Sequence, residues 1–125
     1  MKKILWCLLC CFVAHPVFAK DFLITDFGAK PGATFLNTEA INRAISACHK
    51  QGGGRVIVPA GIFRTGTLVL RENVELHLVM GATLLASENL QDFPLPTLTS
   101  YRSQKDPGGW RSLIYASDVS NIAIT

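Results

Sequence analysis

Apolar residues fall first into a helical rhythm and then, past a run of glycines, into a rhythm of two. Over residues 37–50, Ile41, Ala44, Ile45 and Cys48 recur at spacings of three and four, while Glu39, Asn42, Arg43, Ser46 and His49 take the other side. One amphipathic helix is predicted there. Asn37 is placed to accept from the free amides of the first turn, Glu39 suits the positive end of the helix dipole, and Gly52-Gly53-Gly54 ends the helix.

After the glycines, short strands are predicted at 56–58, 62–64, 67–70, 74–79 and 82–86. In the clearest, Val74, Leu76 and Leu78 point one way and Glu75 and His77 the other, so one side is buried and the other meets water. The breaks, among them Pro59-Ala60-Gly61, Gly66, Arg71-Glu72-Asn73 and Met80-Gly81, are a few residues each. Such gaps permit hairpins or the corners of a coil and exclude helical crossovers between successive strands. One phrase recurs: Asn73-Val74-Glu75-Leu76 returns as Asn121-Ile122-Ala123-Ile124. Recurrence of this kind suits stacked rungs, although periodicity alone leaves a hairpin sandwich open. The helix directly before the first strand favours the coil, whose open apolar end needs a plug. Cys48 then reads as a small apolar contact between cap helix and first rung, with a reactive or redox thiol as the sharper alternative.

Composition removes one segment from the fold. In residues 1–19, Lys2 and Lys3 precede an apolar stretch, and Val17 and Ala19 sit at the small-residue positions of a cleavage site before Lys20. This predicts a secretory signal, with export to the periplasm or the extracellular space and no stable membrane insertion after cleavage. Leu9 is too bulky to precede a lipidated Cys10, which speaks against a lipoprotein. Cys7, Cys10 and Cys11 lie inside the signal, so Cys48 remains alone and no disulfide framework is expected. The formal charge falls from +3 to about +1 without Lys2 and Lys3, which gives no case for a nucleic-acid partner.

Several ordered phrases resemble the pectin-degrading family of glycoside hydrolases that includes the polygalacturonases. They are Asp26-Phe27-Gly28-Ala29-Lys30, Asn37-Thr38-Glu39-Ala40-Ile41, Gly52-Gly53-Gly54-Arg55-Val56-Ile57-Val58-Pro59-Ala60-Gly61, Thr65-Gly66, Asn73-Val74-Glu75-Leu76-His77-Leu78 and Gly81-Ala82-Thr83-Leu84. Each alone is weak; order and spacing make the set specific. A kinase reading of Asp26-Phe27-Gly28 fails, because no nucleotide lobe fits between the signal and Asp26. The resemblance implies an all-β fold, a right-handed parallel β-helix with an amphipathic N-terminal cap helix, of which residues 20–125 hold the cap and first rungs of an incomplete coil. It further implies a pectic, galacturonate-containing polysaccharide as substrate, inverting hydrolysis and no cofactor. Inversion needs an acid and a base about 6.5–9.5 Å apart.

The family draws those carboxylates from an Asn-x-Asp phrase and an Asp-Asp pair, followed by Gly-His-Gly and Arg-x-Lys phrases, and the chain contains none of them. No catalytic, substrate-binding or metal residue is therefore assigned, and the chain as given is expected to be inactive alone. Glu39 serves the helix start, and Asp118 belongs to a turn between rungs. His15, His49 and His77 are scattered without ligand spacing, and His77 is expected to be a solvated surface residue. Residues 87–111 form a long excursion with Tyr101, Arg102, Lys105, Trp110 and Arg111, whose aromatic faces and guanidinium groups suit sugar rings and their carboxylates. Packing on the outside of the coil explains them equally well. A polysaccharide lyase or epimerase on the same scaffold, or a carbohydrate-binding β-helix without catalysis, are the competing readings.

The strand pattern runs to Thr125, so a coil ending there presents an unpaired edge and an apolar end. Residues 20–125 expressed alone are expected to be poorly soluble; a monomeric, cooperatively unfolding product by sedimentation and calorimetry would overturn the truncated-coil reading.

Overall fold

A computed structural model describes residues 20–96 and 111–125. Its strands are β1 (Lys20–Leu23), β2 (Gly32–Leu36), β3 (Gly54–Val58), β4 (Gly61–Thr65), β5 (Leu68–Val69), β6 (Val74–Leu78), β7 (Ala82–Ala86), β8 (Ile114–Tyr115) and β9 (Ala123–Ile124), with one α-helix, α1 (Thr38–Lys50). They form three sheets ordered β1-β3-β6-β9, β2-β4-β7 and β5-β8, and every pair is parallel. Successive strands lie in different sheets and each sheet is revisited in turn. The chain therefore climbs as a parallel β-helix, of the right-handed kind that parallel crossovers favour.

Register explains why the period-two pattern works. Phe22, Val56, Leu76 and Ile124 stack in one column of the first sheet, and Asp21, Arg55, Glu75 and Ala123 in the next. The first column points inward: Phe22, Val56 and Leu76 are buried, whereas Ile124 on the last rung is 54% exposed. A slip of one residue would turn the charged column into the core, so the apolar alternation holds the rungs in place. Phe63 and Leu84 continue the interior in the second sheet, and Leu68 and Ile114 in the third.

Helix α1 stands where the first rung lacks its third strand. Ala40, Ile41, Ala44, Ile45 and Cys48 form its buried stripe, as the spacing predicts. On its other flank Asn42 imitates a neighbouring strand: its Oδ1 accepts from the Val69 amide at 2.9 Å and its Nδ2 donates to the Thr67 carbonyl at 3.0 Å. Thr38 Oγ1 accepts from the Gly66 amide at 2.7 Å, and His49 Nδ1 bonds the Glu72 carbonyl at 3.1 Å. The helix thereby satisfies the upper edge of β5, which would otherwise bond to water or another chain. Cys48 lies fully buried against this interface, and desolvation pushes its thiol pKa up, which keeps it the inert apolar contact expected. After α1 the chain must pass close to its neighbours. A Cβ on Gly53 would stand 2.4 Å from the Asn73 carbonyl, and φ there is 111°, so glycine alone fits.

The recurring phrase marks equivalent corners. Asn73 and Asn121 both take the left-handed conformation, with φ of 62° and 55°. Asn121 Nδ2 donates to Asn73 Oδ1 at 2.9 Å across the 48 residues separating them, and Ser120 Oγ donates to Glu72 Oε1 at 2.8 Å. Asparagine tolerates this backbone, and stacking its amide on the next rung fixes the corner.

Two expectations need correction. Asn37 precedes α1, but its side chain makes no capping bond. Fully buried, its Oδ1 accepts from the Lys30 amide at 2.7 Å and its Nδ2 donates to the carbonyls of Lys30, Phe35 and Arg64 at 3.0, 3.2 and 3.3 Å. It closes the loop before β2 and ties the helix start to β4 instead of serving free helix amides. Strands β1 and β2 were not expected. β1 carries one buried side chain and β2 none, so both exist through hydrogen bonds to β3 and β4, a signal the apolar pattern does not contain.

The excursion after β7 begins as part of the coil. Ser87 Oγ donates to Asp92 Oδ2 and accepts from Arg64 Nη2 at 3.1 Å, while the Thr67 amide donates to the Asp92 carbonyl at 3.0 Å. Residues 90–92 form one short 3-10 turn, capped by Asn89. The returning strand is tied by Thr67 Oγ1 to the Ser112 carbonyl at 2.7 Å and by the Leu68 amide to the Leu113 carbonyl at 2.8 Å. A Cβ on Gly66 would lie 2.1 Å from the Asp92 carbonyl oxygen, so the root of the excursion passes directly over that glycine.

Replacing Asn37 by Ala strips the Lys30 amide and the Lys30 and Phe35 carbonyls of partly buried hydrogen bonds, while the Arg64 carbonyl keeps the Asn37 amide. We expect a loss of about 3 kcal/mol, at 1–3 kcal/mol for each unsatisfied buried group, measured by urea unfolding of the full-length protein. Gly66→Ala must displace residues 91–93, at a cost of about 1–3 kcal/mol by the same measurement, with protease cleavage in the root accelerated and α1 unaffected.

Candidate functional site

The outer surface carries two polar constellations. On the first sheet, the charged column forms a ladder. Arg55 grips Asp21 with both prongs, Nε to Oδ1 at 2.9 Å and Nη2 to Oδ2 at 3.0 Å. The Asp21 hydrogen bonds raise the guanidinium's pKa, and the charges of Asp21 and Glu75 act in the same direction. Glu75 Oε1 in turn accepts from Thr125 Oγ1 at 2.7 Å, and Thr125 Oγ1 accepts from His77 Nδ1 at 2.7 Å. Because the threonine proton goes to Glu75, His77 must carry its proton on Nδ1. An open groove of about 240 Å³, lined in part by Arg55, Asn73, Glu75 and Asn121, runs beside the ladder.

This arrangement adds to the reading of His77 as an outward surface residue. It is partly exposed as expected and also tied to the next rung, with Glu75 Oε1 3.8 Å away, so it fastens β9 to β6. Both ladder carboxylates already face a counter-group, which suits them to holding rungs together more than to acid–base chemistry.

The second constellation sits at the end of β4 and β7, where the excursion leaves and rejoins. Arg64 lies between Leu36 and Leu85 across the second sheet, with Nη1 on the Thr34 carbonyl at 3.4 Å and Nη2 on Ser87. Arg111 Nη1 donates to the Leu90 carbonyl at 3.0 Å and to the Phe93 carbonyl. Two guanidinium groups are thus fixed by backbone and hydroxyl oxygens on either side of the short 3-10 turn. This is the site with the chemistry to meet an anionic ligand.

Of the residues singled out in the sequence, Glu39 is exposed and pairs with Arg43 at 3.8 Å, one turn along α1. Asp118 sits in a bend with φ of 53° and accepts from Ser117 Oγ, as its turn role requires. Tyr101, Arg102, Lys105, Trp110 and His15 lie outside the described residues. Among the described residues, no three His, Cys, Asp or Glu side chains gather to hold a metal ion, and no helix is long and apolar enough to cross a membrane. Sequence reasoning missed the Asp21–Arg55 pair and the Arg64–Ser87–Asp92 cluster. Only a known register places Asp21 beside Arg55, 34 residues away.

No family model matches the chain. It is 46% identical over 102 residues to an exo-poly-alpha-D-galacturonosidase of Dickeya chrysanthemi, covering 81% of this chain and 16% of that protein. It is 34% identical over 108 residues to the "probable polygalacturonase" of Vitis vinifera, covering 82% of this chain and 22% of the other. A shorter match, 39% over 62 residues and 43% of this chain, joins it to 7% of alginate lyase 7 of Azotobacter vinelandii. Among solved structures, the family 28 exopolygalacturonase of Yersinia enterocolitica superposes with a TM-score of 0.72 at 35% identity, over 86% of this chain and 20% of that one. The chain thus spans 16% and 22% of the lengths of the Dickeya and Vitis relatives. In ordered sequence and in coil architecture alike, it resembles the polygalacturonase-type glycoside hydrolases of the parallel β-helix class.

Proposed function

We propose that residues 20–125 are the N-terminal cap and first rungs of an exported hydrolase that cleaves polygalacturonate, or a related pectic chain, with inversion. The observation that carries this is the 46% identity to a galacturonosidase over most of the chain, together with the shared coil. Export to the periplasm or extracellular space rests on the signal-like residues 1–19.

The scaffold suits the chemistry. Outward side chains on neighbouring rungs repeat about every 4.8 Å, and diagonal neighbours stand about 7–8 Å apart. A diagonal carboxylate pair falls within the separation of about 6.5–9.5 Å that leaves room for an attacking water, beyond the roughly 5–5.5 Å of a retaining pair. Three carboxylates on these rungs are engaged within the coil: Asp21 by Arg55, Glu75 by Thr125 and Asp92 by Ser87. These engagements support the reading in which the present segment contributes the rigid start of the coil.

A second reading, elimination on a polyuronate, draws on the likeness to alginate lyase 7. Incubating the full-length protein with polygalacturonate separates the two. Hydrolysis is expected to release new reducing ends with inverted anomeric configuration in proton NMR. Unsaturated products with ultraviolet absorbance would favour the lyase, and neither signal would leave carbohydrate binding without cleavage.

A further inference from the structure

We propose that Arg111 is an anchor for the carboxylate of an acidic sugar residue, set where the excursion rejoins the coil. The inference rests on the polyuronate reading above and names a residue that would recognise that substrate. Its carrier is the way the arginines differ. Arg43 has Glu39 beside it and Arg55 has its fork filled by Asp21. Arg64 spends both terminal nitrogens on Thr34 and Ser87. Among the described residues, Arg111 is fixed through Nη1 by two backbone carbonyls and no carboxylate lies within ion-pairing distance of it, whereas the exposed Arg71 makes neither an ion pair nor a side-chain hydrogen bond there and so lacks the fixed orientation. Asp92, which lies in the chain between the Arg111 partners Leu90 and Phe93, already takes the Ser87 hydroxyl.

A guanidinium held by Nη1 leaves the Nε–H and Nη2–H pair as a planar fork, the geometry that grips a carboxylate with two parallel hydrogen bonds. Arg111 is exposed, and among the described residues nothing bonds to that fork. Leu90, one of its carbonyl partners, is 70% exposed, and Leu95 is 48% exposed. Exposed apolar side chains, suited to the C–H face of a sugar ring, thus belong to the same segment whose carbonyls hold Arg111. The first-sheet ladder lacks this combination, because its arginine is neutralised and Glu75 would repel a polyanion.

The test titrates the full-length protein calorimetrically with a short oligogalacturonate and with its methyl ester. Arg111→Gln is expected to weaken binding of the acid oligomer about tenfold while leaving the ester unchanged, as loss of one charged hydrogen-bonded contact implies. Arg111→Lys keeps a cation that can reach the Leu90 and Phe93 carbonyls but has no fork, and should fall between. If Arg111→Gln lowers the unfolding temperature, the lysine variant decides: a reduced preference for acid over ester supports the anchor, and parental affinity overturns it. Equal losses for acid and ester, or none, also overturn it. A parent protein that binds no oligogalacturonate would instead sink the substrate reading, and the anchor with it.

Discussion

Parallel stacking of the column Phe22, Val56 and Leu76 is the constraint on which the remaining structure depends. Each rung is too short to bury its own apolar side chains, so a rung gains stability only when the next covers it. Backbone hydrogen bonds set the spacing between rungs, and the inward column sets their register. Everything outside the coil, including its charges, is placed by that register.

Unequal rungs must still close on the same corners. The interval from Lys20 to its partner Gly54 contains a helix, whereas Gly54 to Val74 contains none, and the repeat after Asn73 accommodates the excursion. The corners absorb this through left-handed backbone at Gly53, Asn73 and Asn121 and through the direct amide contact between the two asparagines. At the upper end α1 replaces a missing strand, with Asn42 supplying the donor and acceptor that a neighbouring strand would offer. Polar side chains are used here as pieces of backbone, which is why they stand at positions where solvent-facing residues would be expected.

The same economy shapes the outer surface. Carboxylates on the first sheet are matched to Arg55, Thr125 and His77 and so stitch adjacent strands, while the arginines near the excursion are held by neutral oxygens and keep their charge available. Partnered charges of the first kind contribute modestly to stability at an exposed surface. Cations of the second kind are oriented without being neutralised, which is the condition for recognising an anion. A polyuronate chain laid along the coil would meet these two surfaces very differently.

Much of the fold was legible in the chain itself. The helical spacing of Ile41, Ala44, Ile45 and Cys48 and the alternation from Val74 to Leu78 are imposed by burial, and burial leaves a periodic trace in any sequence. The repeat of Asn73 as Asn121 was visible for the same reason, since few residues accept a left-handed corner. Contacts between distant residues leave no such trace. The role of Asn37 in closing a loop, the fastening of His77, the strands β1 and β2, and the meeting of Gly66 with Asp92 depend on which segments the coil brings side by side. Sequence alone therefore determined the elements and their inward faces, through the hydrophobic effect. Only the tertiary structure decided which outward groups became partners and which guanidinium was held by backbone oxygens, because hydrogen bonds and ion pairs act over a few ångströms between residues that stand dozens of positions apart.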